Sequence, residues 1–149
     1  MQYTTDNRPG TARGAGPWKF LAVWLAMLAV SVANGALREF TYGTCVDELA
    51  AHQISTAIGI VALGAVIGLF ARVSPFSSAG EAVCVGLFWA ALTVAFEFVF
   101  FHYIGGHSWA ALLSNYNVLQ GRVWVFIIAW VAMAPYIAFR LNKRRRKGA

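Results

Sequence analysis

The chain has 149 residues, 59% of them hydrophobic and 12% charged, with a formal net charge of +6. A soluble globular domain carries about 25% charged residues, so this chain has too little polar surface to cover a water-soluble core. The positive balance could point to nucleic acid, but its placement argues against that: the basic residues flank long apolar runs, as in a membrane protein.

Residues 1–17 are rich in Gly, Thr and Arg, show no apolar period and are expected to form a disordered lead. Four apolar runs follow, each near the roughly 20 residues that cross a bilayer as helix. They place spans at about 18–37, 50–71, 80–104 and 122–139, one all-α four-helix transmembrane domain over 18–139. A basic tail, residues 140–149, ends the chain. Arg8, Arg13, Lys19 and Arg72 fall on one side of the spans, together with Arg140, Lys143, Arg144, Arg145, Arg146 and Lys147. Only Arg38 and Arg122 fall on the other. The positive-inside asymmetry then predicts both termini in the cytoplasm, and the tail reads as a topology anchor beside anionic lipid headgroups.

The first span has basic residues before it and a small-x-small sequence at Ser31–Ala33, as a cleavable signal peptide would. Its apolar run continues nearly to Leu37, and its removal would leave three spans, so retention is the favoured reading over cleavage. The second helix is expected to open with Thr44 as N-cap and Asp47 three residues on. Ser78 and Glu81 have the spacing of a capping box for the third helix, which accounts for Glu81 without a catalytic role. Small residues recur at four-residue spacing: Ser55 and Gly59, Gly64 and Gly68, then Ala82, Gly86 and Ala90. Such ridges let helices approach closely in lipid, within one chain by first preference and between two chains as the alternative. Between spans three and four, Ser108 reads as the N-cap of a short amphipathic helix with Trp109, Leu112, Leu113 and Tyr116 on its apolar face, lying at the outer interface. Cys45 and Cys84 are expected on opposite membrane faces, which excludes a disulfide between them.

The polar residues are one-sided. Glu97 lies among Val94, Phe96, Phe98 and Val99 in the outer half of the third span, about 10 Å below its end at the helical rise. A bare carboxylate there is costly, so it should be paired or protonated and turned inward. Asn34 and Arg38 share a face of the first helix, Glu48, His52 and Ser55 a face of the second, and Arg122 opens the fourth. The sequence thus predicts an outer cluster of Asn34, Arg38, Glu39, His52, Ser55, Glu97 and Arg122, lidded by residues 105–120. Its first reading is a buried ion-pair network in which Glu97 meets Arg38 or, as second choice, Arg122. One alternative is a binding or proton-linked transport site with Glu97 or His52 as the protonatable group. Another is a membrane enzyme or metal site, since Glu48 and His52 have helical ligand spacing and His102 or His107 could join them.

Known membrane chemistries do not fit the inventory. A Gly-x-Ser motif with a partner histidine is not arranged as an intramembrane serine protease needs. An aspartate dyad is excluded because Asp6 and Asp47 are the only aspartates. The glycine-rich GTARGAG precedes no strand and so cannot form a phosphate loop. No catalytic, metal or cofactor residues are therefore assigned. Membrane lipid is the expected partner, with a homo-oligomer or a second membrane protein as open alternatives and no nucleic acid.

Four short spans with a membrane glutamate give a superficial resemblance to small multidrug-resistance transporters. Their essential glutamate lies in the first helix, whereas here the first span has none until Glu39 at its end. The segments NGALRE, HQIS and FEFVFFHYIGGHSWAALLSNYNVLQGRVW more closely resemble those of small uncharacterised bacterial four-span integral membrane proteins, over most of the chain from about Asn34 to Pro135. That resemblance implies a bacterial inner-membrane setting and brings no established activity. The resulting expectation is a small accessory, scaffold or ligand-sensing membrane component.

Overall fold

The computed structural model describes residues 16–114 and 116–148. Along them run α1 (Pro17–Phe40), α2 (Glu48–Val73), α3 (Ala79–Tyr103), the short α4 (Trp109–Ser114) and α5 (Trp124–Lys147). All but α4 are long and apolar enough to cross a membrane. Residues 1–15 of the expected lead, and Ala149, lie outside the described residues. Pro17 opens α1 at the position where its missing N–H is no loss.

The helix starts follow local chemistry, with one correction. Ser78 caps α3 by accepting from the Glu81 amide at 3.0 Å, and the Glu81 carboxylate reaches back to the amide of Ser77. The expected cap of α2 is displaced: Asp47, not Thr44, accepts from the Ala50 amide at 2.9 Å. Residues Tyr42–Thr44 form a 3-10 turn, which points the Thr44 hydroxyl back to the Thr41 carbonyl. The last helix runs on past the expected span of 122–139. Helix α5 continues to Lys147, and Asn142 within the basic stretch donates to the Ala71 carbonyl at 2.8 Å, satisfying an orphan carbonyl at the end of α2.

Helices alternate in direction and pack in a ring: α1 on α2, α2 on α5, α5 on α3, while α3 and α1 meet only narrowly. The seam of α2 is Ala51, Ser55, Gly59, Leu63, Ile67 and Ala71, all buried at four-residue spacing. Helix α3 answers with Ala82, Val85, Gly86, Trp89 and Ala90. At Gly86 an added Cβ would stand 2.1 Å from the Ala132 carbonyl oxygen, so this glycine sets the α3–α5 approach. Gly68 meets nothing within 4 Å, so small-residue spacing marks a close crossing at one site and none at the other.

Where α1 and α3 do touch, two tryptophans tie them. Trp89 Nε1 donates to the Phe20 carbonyl at 2.8 Å, and Trp24 Nε1 to the Thr93 hydroxyl at 3.2 Å. Phe20, Phe70, Phe76 and Trp89 form an aromatic group beside these ties. All of this lies toward the end of the bundle that carries the basic tail. Toward the other end, α1 and α3 part.

Candidate functional site

The parting of α1 and α3 opens a cavity of about 560 Å³ that reaches α2 and α5 behind. Its walls are largely apolar, with Met27, Leu28 and Val32 on one side and Phe96, Phe100 and Phe101 on the other. The polar groups sit where the four helices converge. Of the seven predicted cluster residues, Asn34, Arg38, Glu39, His52, Ser55 and Glu97 border this cavity. Arg122 borders a smaller one of about 290 Å³ beside it, with Glu48, His52 and Trp124. His52, Thr56 and Trp124 belong to both.

Glu97 is 7% exposed because it continues the buried stripe of α3, one turn beyond Thr93. The expected ion pair with Arg38 is not formed. Arg38 turns to its chain neighbour Glu39, at 2.7 Å, in a pair that is 21% and 65% exposed. Two neutral donors serve Glu97 instead, both on Oε2: the Tyr116 hydroxyl at 2.7 Å and the Trp124 indole N–H at 2.7 Å. The physical reason is reach and cost. Arg38 stands near the end of α1, where water and Glu39 solvate it, and burying its guanidinium would add a desolvation penalty that two dipolar donors avoid. Burial first, then the hydrogen bond and charge of Glu97, raise the Tyr116 hydroxyl above its ordinary value, so Tyr116 remains a donor at neutral pH.

Tyr116 and Trp124 were not in the predicted cluster. The available signal was their type: a buried tyrosine or tryptophan brings an apolar body and a polar tip that needs an acceptor. The segment that delivers Tyr116 is α-helical only over Trp109–Ser114, so Tyr116 lies beyond the helix end. Helix α4 ends at Ser114, capped at its start by Ser108, and only Leu112 of its expected apolar face is buried. Trp109 and Leu113 are 46% and 60% exposed. Trp109 stacks on His102, ring centroids 3.9 Å apart, while His102 Nδ1 donates to the His107 carbonyl. The segment turns through Gly106 and Gly121, both with positive φ, and so folds back over Glu97.

Asn34 and His52 are both tied to α2 by hydrogen bonds. Asn34 Nδ2 donates to Ser55, to its carbonyl at 2.8 Å and its hydroxyl at 3.0 Å. This fixes the amide so that Oδ1 is buried and, among the described residues, accepts no bond. His52 Nδ1 lies 2.8 Å from the Glu48 carbonyl; a carbonyl can only accept, so Nδ1 donates. Glu48 and His52, the candidate metal pair, gain no third ligand: among the described residues no three His, Cys, Asp or Glu side chains converge. Comparison with protein-family models, curated proteins and solved structures finds no match to this chain.

Proposed function

We propose that the protein is a multi-pass component of the bacterial inner membrane, both termini cytoplasmic, that binds a small amphiphilic ligand from the outer leaflet. Its role would be that of a ligand-sensing or accessory subunit. The observation that carries this reading is the 560 Å³ cavity between α1 and α3, apolar along its walls and polar at its head. Ligand sites of this kind occupy about 300–1,000 Å³, with a few placed polar groups. The proposed orientation rests on the basic residues, ten on the tail side against Arg38 and Arg122. It puts Glu97 and the segment folded over it toward the periplasm. The resemblance to small bacterial four-span proteins supports the same setting.

Trp24 and Trp124 border the cavity, so occupancy is readable by their fluorescence. The full-length protein in phosphatidylcholine nanodiscs is titrated with dodecylamine, dodecanol and dodecanoate. A saturable change with at least one of them is expected; partitioning without saturation for all three overturns the reading.

A second reading, proton-linked transport through Glu97, draws on one observation: the hydrogen bonds to this carboxyl come from tyrosine and tryptophan and not from Arg38. Glu97→Gln in liposomes tests it. Abolished proton-linked flux with intact folding supports transport, and unchanged flux removes it.

A further inference from the structure

The polar head of the cavity is matched to one kind of ligand chemistry. Resting on the amphiphile-binding reading above, we infer that the occupant is a lipophilic amine, its protonated primary or secondary ammonium held at Glu97 and its hydrocarbon body lying between α1 and α3. The charge inventory points there first. Glu97 brings a buried carboxyl group to the cavity, and the two hydrogen bonds it accepts come from neutral donors. The other charges bordering the cavity, Arg38 and Glu39, neutralise each other at 2.7 Å near its mouth. Arg122 borders the smaller cavity and not this one.

Hydrogen-bond capacity points the same way. Tyr116 and Trp124 spend their single donors on Glu97 Oε2, and Thr93 spends its hydroxyl proton on the Trp89 carbonyl. Acceptor capacity is left at Glu97 Oε1 and at the unpartnered Asn34 Oδ1, beside the hydroxyls of Ser31, Ser55 and Thr56, which can donate or accept. A ligand with several N–H donors suits such a set, whereas a carboxylate or phosphate brings only further acceptors. Trp124, Phe96 and Phe100 line the same cavity, and an aromatic ring face carries partial negative charge that attracts a cation. The same ammonium can come from a free amphiphilic amine or from a phosphatidylethanolamine headgroup.

The nanodisc titration separates these outcomes. On wild-type protein, dodecylamine is expected to bind at least about tenfold more tightly than dodecanol or dodecanoate, the size of a charge-assisted hydrogen bond. Glu97→Gln should remove that preference, so that dodecylamine and dodecanol then bind within about twofold of each other. Equal or tighter binding of dodecanol or dodecanoate to wild type overturns the amine assignment while leaving amphiphile binding intact. Saturation by none of the three removes both. The wild-type ligand series decides the matter even where Glu97→Gln does not fold. Nanodiscs containing phosphatidylethanolamine then identify the source: suppression of the dodecylamine signal assigns the lipid headgroup, and an unchanged signal assigns a free amine. Preserved dodecylamine preference in a folded Glu97→Gln variant also overturns the inference.

Discussion

The Tyr116 hydroxyl stands 2.7 Å from Glu97 Oε2, joining the segment after α4 to the buried face of α3 across nineteen residues of sequence. Trp124, in the first turn of α5, donates to the same oxygen and borders the cavity.

Tyr116→Phe keeps the ring and removes the bond. A loss of about 1–2 kcal/mol in unfolding free energy is expected, because a buried acceptor loses one of two donors. The pH dependence carries a sign. The folded protein holds the Tyr116 proton above its ordinary value of 10.0, so the unfolded chain releases it first. This contribution is complete below about pH 10 and declines as pH rises beyond it. Thermal unfolding of wild type and Tyr116→Phe should therefore converge above pH 10; curves that stay parallel there remove the tyrosine from the account.

Gly86 and Gly68 predict opposite outcomes for the same change. Gly86→Ala drives a methyl against the Ala132 carbonyl, and a cost at or above about 3 kcal/mol is expected from overpacking against backbone. Gly68→Ala meets open space and should be neutral or stabilising by up to about 1 kcal/mol through helix propensity. Unfolding in detergent measures both, and equal losses would contradict the packing described for α3 on α5.

These residues show what the sequence made legible. The four long apolar helices were readable because apolar runs of that length have few other uses, and the Ser78–Glu81 cap because its signal lies within four residues. The convergence of Asn34, His52, Ser55 and Glu97 followed from helical spacing alone. The partner of Glu97 did not, because its donors arrive on a segment whose path depends on turns at Gly106 and Gly121 and on tertiary contact. A charge-pairing rule favoured Arg38, while the structure satisfies the carboxyl with dipoles. Hydropathy marks a span to about residue 139 but not the helix end; arginine and lysine are good helix formers and α5 continues through them.

Arg38 now has a modest role to be measured. Because its pair with Glu39 is partly exposed, Arg38→Ala should change stability by no more than about 0.5 kcal/mol. Glu97→Ala leaves the buried Tyr116 and Trp124 donors unsatisfied and should cost about 2–4 kcal/mol. Losses of similar size at both positions, cancelling in the double variant, would restore the ion pair.

Orientation is open to direct labelling. Cys45 and Cys84 are both free and exposed, the first in the turn between α1 and α2 and the second near the start of α3. A membrane-impermeant maleimide should label Cys45 in intact spheroplasts and spare Cys84. The reverse pattern would invert the bundle and turn the cavity to the cytoplasm.

The central claim is that the space between α1 and α3 holds a ligand, and photocrosslinking tests it most directly. A dodecylamine carrying a diazirine in its chain is bound to the full-length protein in nanodiscs, irradiated, and the adducts are mapped by peptide mass spectrometry. The account predicts adducts concentrated on the cavity walls, at Leu28, Val32, Phe96 and Phe100, and competed away by unlabelled dodecylamine. Adducts spread over the outward faces, at Val61, Leu69 and Leu87, with no competition, would contradict it.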